Sequence, residues 1–250
     1  MTALVEFLDR VTTATKIEYV WTELLKAMDA HGFDRLLYGY TRFKTAQSYG
    51  SPEDLLVLTN HPRSYTDRFI GESLYASAPM VRWAANNVGA CSWSWVRRNR
   101  DLLTPSELRV LEFNQEMGVT AGYTISFPGI SPRAQGAIAL TARRGIDQDQ
   151  TDAIWDRHGQ TLQQMATVAH LKITTLPFTG ARRPLTDRQR EALEWVGDGK
   201  TTQDIAAIMG LTAATVEKHL RLARAALNVE TTAQAVLKAS FQNQIFVLPT

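Results

Sequence analysis

Two domains of different class are predicted for this chain: an N-terminal α/β/α sandwich with an antiparallel sheet, and a C-terminal all-α domain built on a helix-turn-helix. Three observations predict them. Helical and strand-like periodicities share residues 1–171, with helices bracketing a run of strands. The stretch KITTLPFTGARRP at 172–184 holds two prolines, a glycine and an Arg pair without sustained periodicity, and reads as a linker. Beyond it, Leu185 to Leu220 contains two short amphipathic helices separated by Gly210, the second with charge on its outward face.

The N-terminal elements follow in order. Ile17 to His31 places Ile17, Trp21, Leu24, Leu25 and Met28 on one helical stripe. Strands are expected at Leu36–Phe43, Leu55–Leu58, Ala121–Phe127 and Ala137–Ala142, and Tyr123, Ile125 and Phe127 alternate as a half-buried strand should. Between them, Thr104-Pro105-Ser106-Glu107 is a capping box with proline at the first helical position, opening a helix that stops at Gly118. A long helix is expected from about Asp149 to Leu171.

In the domain at 185–250, Thr186 and Gln189 form another capping box, with Asp187 complementing the helix dipole. That helix buries Leu193 with Trp195 or Val196 and ends near Gly197–Gly199. Thr201 with Asp204 caps the next, which is expected to turn Ile205, Ile208 and Met209 inward. Gly210 supplies the tight turn and Thr212 the following cap. In the last helix of the motif Val216, Leu220, Ala223 and Leu227 form the core stripe. Glu217, Arg221 and Arg224 fall on another face, beside Lys218.

A helix of this kind can enter the major groove of double-stranded DNA. Arg and Lys donate to guanine O6 and N7, and Glu accepts from cytosine N4. Lys200, Thr202, Thr215 and Arg224 suit phosphate contacts that fix orientation.

Composition sets bounds on function. The chain is 44% hydrophobic and 21% charged, as globular proteins are. Net charge is only +2, and Ala181 to Thr250 carries nine Lys/Arg against seven Asp/Glu, so DNA affinity must come from placement of charge. Cys91 is the only cysteine, which excludes an internal disulfide and reads as a packing residue. His31, His158, His170 and His219 lack ligand spacing and His61 stands alone, so neither metal nor cofactor is expected. No catalytic constellation is found, and an enzyme is not expected. MTALVEFLDRV lacks a basic n-region, and no apolar run approaches the roughly 18 residues of a membrane span, so a cytoplasmic protein is expected.

L-T-x-R-Q-R-E-x-L, then G-K-T-x-x-x-I-A and T-x-x-T-V-x-x-H-L, resembles the LuxR/GerE-type helix-turn-helix over about Leu185 to Phe246. The resemblance implies a four-helix domain, the fourth helix at about Thr232 to Gln242 helping it to dimerise on DNA. Gln189 stands where the family usually has glutamate, and still completes a capping box. Upstream, HPRSYTDRFIGESLYASAPMV at 61–81, Trp93 and GVTAGYTISFP at 118–128 resemble the autoinducer-binding domain of quorum-sensing LuxR proteins.

That resemblance implies a pocket for an acyl-homoserine lactone and carries its lining onto His61, Tyr65, Phe69, Ala78, Pro79, Trp93 and Ala139. Tyr65 replaces the usual lactone-binding tryptophan, Phe69 a tyrosine, Ala78 the aspartate that accepts from the ligand amide, and Ala139 a strand Ser/Thr. Trp83 and Trp95 join Tyr65, Phe69 and Trp93 as pocket aromatics. The implied protein is a homodimeric regulator. It senses a lactone or related apolar molecule, or works without ligand or on a non-lactone ligand because position 78 is alanine.

Overall fold

Apolar spacing builds the first two helices. In α1 (Thr2–Thr12) Phe7 and Val11 fall one turn apart and are buried, and in α2 (Ile17–Asp29) Ile17, Val20, Trp21, Leu24 and Met28 form the buried stripe. Buried Glu23 ties the two together, accepting from Arg10 Nε at 2.6 Å and Lys26 Nζ at 2.8 Å. The computed structural model describes residues 2–45, 48–178 and 184–246, divided into units at 1–174 and 175–250.

The first unit continues with β1 (Phe33–Thr41), β2 (Leu56–Thr59), α3 (Arg63–Thr66), α4 (Pro79–Asn86), β3 (Gly89–Ser92), α5 (Ser94–Arg98) and α6 (Pro105–Glu116). It closes with β4 (Gly122–Phe127), β5 (Gln135–Ala142) and α7 (Gln148–Ile173). The strands form one antiparallel sheet in the order β2-β1-β5-β4-β3. α1, α2 and α7 cover one face, where Phe33 and Tyr123 pack their rings on Trp155. The sandwich and the antiparallel sheet are those expected.

Several elements depart from the expected ones, β1 also starting earlier, at Phe33, and β5 at Gln135. β1 stops at Thr41, two residues short of Phe43, because the Thr41 hydroxyl accepts the Phe43 N–H and donates to the Tyr49 carbonyl, turning the chain into a loop. β3 was not anticipated, since Gly89-Ala90-Cys91-Ser92 has no apolar alternation; it is an edge strand held by β4 alone. α7 runs to Ile173, whose burial with Ala169 and His170 draws the start of the expected linker into the helix. Further along that linker, Leu176 is buried in the second unit, and Phe178 pairs through its backbone with Gln242 and Gln244. Residues 179–183, with the Arg pair, lie outside those described.

The second unit comprises α8 (Asp187–Gly197), α9 (Thr202–Met209), α10 (Ala213–Leu227) and α11 (Thr232–Phe241). Capping boxes open α8, α9 and α11, and Thr212 caps α10 by accepting the Thr215 N–H. Gly210 takes the left-handed conformation (φ +66°) that ends α9, which is why glycine stands there. Ile208 does not join the core as expected and is 46% exposed. Ile205, Ala206 and Met209 make the buried stripe of this eight-residue helix, and its centre leaves Ile208 on the flank.

His170 shows how tightly α7 seats. Its ring lies flat on Phe127 (centroids 4.1 Å apart), Nδ1 hydrogen-bonds the Tyr38 hydroxyl at 2.8 Å, and a Cβ at Gly136 would meet Cε1 at 2.6 Å. Burial lowers its pKa to about 4 from 6.5. The neutral form is favoured on folding, so this stability is fully present above pH 6.5 and is lost as pH falls toward 4. Urea unfolding from pH 6.5 down to 4.5 is expected to show a loss whose His170 part is about 1.4 kcal/mol per pH unit. His170→Gln should flatten the slope by that part, and an unchanged slope contradicts the assignment.

Candidate functional site

The sheet face away from α7 carries small residues at its centre, Gly39, Ala137 and Ala139. Strand alternation places Leu37, Gly39 and Thr41 of β1, and Gln135, Ala137, Ala139 and Thr141 of β5, along it. Register sets Gly39 opposite Ala137, Leu37 opposite Ala139, and Thr124 of β4 on the other side of Ala139. A Cβ at Gly39 would meet nothing within 4 Å. Above this low floor Tyr65, Phe69, Ala78, Val110 and Phe113 cluster as a roof. Between floor and roof lies a cavity of about 370 Å³, within the range of small-molecule pockets.

His61, Tyr65, Phe69, Ala78, Pro79, Trp93 and Ala139 all border it. His61, Tyr65 and Phe69 stack in sequence at 4.4 and 5.1 Å, with Phe113 on Tyr65 at 5.3 Å. The Tyr65 hydroxyl donates to Asn114 Oδ1 (3.1 Å), and burial holds its pKa well above the usual phenol value. Trp93 donates from Nε1 to Thr124 Oγ1 at 2.9 Å. Gly122 lets that indole lie against the sheet, since a Cβ there would collide with the ring and with the Leu140 carbonyl. Ala78 is the N-cap of α4 and offers no side-chain acceptor, while Pro79 occupies the first helical position.

Charge is sparse in this space. His61 is buried and its pKa falls to about 4, through burial first and the Arg35 guanidinium second. Its Nε2 lies 3.4 Å from Thr141 Oγ1, and its buried Nδ1 has no hydrogen-bond partner among the described residues. Among the described residues no Asp or Glu borders the cavity, and Arg97 and Arg100, both exposed, are its charged residues.

In the second unit α10 packs Val216, Leu220, Ala223 and Leu227 inward, leaving Glu217, Lys218 and Arg221 exposed. Lys200 is exposed just before α9, and Thr202 and Thr215 are half-buried at or near helix starts. Arg224 is a partner of the protein itself: Nη1 donates to Thr232 Oγ1 at 2.7 Å and Nη2 to Glu217 Oε1 at 3.1 Å. That pair ties α10 to the start of α11.

Comparison with known proteins follows the same division. The autoinducer binding domain matches residues 16–173, and the bacterial regulatory proteins of the luxR family match residues 183–239. The chain belongs to the LuxR family of transcriptional regulators. It is 30% identical over 205 residues to RpaR of Rhodopseudomonas palustris, a quorum sensing-dependent transcriptional regulator, covering 80% of this chain and 81% of that one. It is 25% identical over 209 residues to the transcriptional activator AnoR of Acinetobacter nosocomialis, covering 83% and 84%. Among solved structures, Escherichia coli SdiA superposes with a TM-score of 0.54 at 18% identity, over 98% of each chain. CepR2 of Burkholderia cenocepacia gives 0.52 at 18% identity, over 69% of this chain and 94% of that one.

This LuxR-family regulator is therefore a DNA-binding transcription factor with an autoinducer-binding domain, in a family of regulators rather than enzymes. Its cavity includes residues that sequence reasoning missed. Thr124 and Thr141 were legible in principle, by continuing the alternation of β4 and β5 beyond Ala139. Tyr49 and Asn114 were not, because one lies in a loop without periodicity and the other in a helix with many polar positions. Trp83 and Trp95 do not border the cavity; the Arg82 guanidinium lies 5.8 Å from the Trp95 ring centre.

Thr124→Val should leave the Trp93 indole N–H without its acceptor and cost about 1–3 kcal/mol in urea unfolding. Thr124→Ser should recover most of that loss. Equal stability of the Val and Ser variants contradicts the bond.

Proposed function

We propose that this regulator acts as a homodimer whose cavity takes an acyl-homoserine lactone or related apolar small molecule, and whose α10 reads DNA. The observation that carries the sensory part is the space itself. Gly39, Ala137 and Ala139 keep the floor low beneath a roof of stacked aromatics, although larger side chains would bury more apolar area there. For CepR2, N-acylhomoserine lactone dependence is stated, and SdiA is solved with octanoyl-rac-glycerol. One is an amide and the other an ester without an N–H. Ala78 favours a second reading, a non-lactone ligand, because among the described residues no carboxylate borders the cavity to receive an amide N–H. A hydrogen bond to an ionised group contributes about 1.5–3 kcal/mol.

On DNA, Lys218, Arg221 and Glu217 are placed as base readers, and Lys200, Thr202, Thr215 and Arg224 as phosphate contacts. Lys218 and Arg221 suit direct readout best, having no side-chain partner among the described residues. Arg224 and Glu217 engage each other, so their proposed contribution is to set the tilt of α10 as well as to touch DNA. A dimer that meets one face of the duplex places its half-sites about 10 bp apart or a multiple. Occupancy of the cavity would reach DNA by changing how the two reading units are set through the segment after α7.

Gly39→Leu puts a side chain into the cavity from a floor position where a Cβ meets nothing within 4 Å. It should keep the thermal midpoint within a few degrees of the wild type and abolish stabilisation by acyl ligands in a thermal-shift titration. Ligand stabilisation that survives the substitution contradicts binding in this cavity.

Arg221→Ala should cost about 1–3 kcal/mol on the specific site and relax one base preference in a binding-site selection assay. Arg224→Ala should also lower the unfolding midpoint of the second unit. Unchanged base preference in Arg221→Ala counts against its reading role.

A further inference from the structure

The polar groups bordering the cavity are unequal in kind. Thr124 has its oxygen occupied by the Trp93 N–H, which leaves the hydroxyl proton to donate. Tyr75 also borders the space, and its hydroxyl has no hydrogen-bond partner among the described residues. Against these donors stand only neutral acceptors, and His61, kept uncharged by burial, adds no positive or negative charge at neutral pH. Formal charge among the described lining residues is of one sign, carried by Arg97 and Arg100, which border the cavity and are exposed to solvent. Arg97 leans on exposed Asp149 at 3.4 Å, whereas the Arg100 side chain has no partner among the described residues.

A cavity of mostly apolar and aromatic walls with guanidinium groups at its edge favours one class of molecule. The geometry points to an amphiphile with an apolar chain or ring inside the cavity and an ionised carboxylate paired with Arg100 and Arg97 at the opening. This rests on the reading of the N-terminal unit as a small-molecule sensor and develops its second, non-lactone form. Guanidinium matches carboxylate in fork geometry, so the pair can be bidentate. An apolar body alone would leave the guanidinium groups unused. A cationic head would be repelled by them.

The test uses the full chain and three probes below micelle-forming concentration: decanoate, methyl decanoate and N-octanoyl homoserine lactone. Affinities come from calorimetric titration at neutral pH. Decanoate is expected to bind about 1.5- to 5-fold tighter than its methyl ester, as an exposed ion pair supports. Arg100→Gln combined with Arg97→Gln should bring the acid and the ester to equal affinity. About 1 M salt should shrink the preference, since exposed charges are screened over about 3 Å there. If the lactone or the ester binds as tightly as the acid, or the acid preference survives the double substitution, the carboxylate assignment is overturned while sensing stands. If none of the three binds, both the assignment and the sensory reading fall.

Discussion

The two-residue period of β1 and β5 is the constraint on which the N-terminal unit depends. Alternate residues of a strand face opposite sides, and here the two sides carry side chains of different size. Leu36, Tyr38 and Leu140 are fully buried toward the α7 side, where Tyr38 meets His170. Leu37, Gly39, Ala137 and Ala139 occupy the other side and leave space. A shift of one residue in register would exchange the sets, filling the cavity and hollowing the packed layer. The packed layer therefore fixes the register, and the register fixes the cavity floor.

The DNA-reading unit rests on its own devices. Capped helix starts, the left-handed Gly210 and an inward stripe on each helix specify a small core. Surface charge near neutrality leaves affinity to placement, and the Glu217–Arg224–Thr232 chain holds one helix to the next while leaving Lys218 and Arg221 exposed. Leu176 and Phe178 belong to this unit, so the proposed transmission from cavity to DNA has only the junction at 174–175, directly after α7, in which to act.

Much of this organisation was legible in the residues, and the illegible parts have physical reasons. Long periodic segments and capping boxes announced α2, α6, α7 and the reading helices, since spacing and cap chemistry are local. β3 escaped because an edge strand of small residues is specified by its partner β4 and not by its own pattern. Ile208 was misplaced because an eight-residue helix has too few turns to define its inward face from spacing alone. At the site, the family resemblance named His61, Tyr65, Phe69, Ala78, Pro79, Trp93 and Ala139, which border the cavity, but it could not show that Tyr65 bonds Asn114 or that Thr124 accepts the Trp93 N–H. Such pairings join residues 31 to 49 positions apart and exist only after the sheet and its roof meet.

The central claim is that the cavity and the DNA-reading helix are coupled through one chain. Its most direct test is the affinity of the full chain for a selected operator, measured by anisotropy across a titration with the tightest-binding acyl probe. Coupling by linkage requires the operator affinity to change with occupancy, and the probe affinity to change by the same factor when operator is present. The account predicts a change of about 5- to 150-fold in the wild type and none in Gly39→Leu. Operator affinity that is the same with the cavity empty and filled would contradict it.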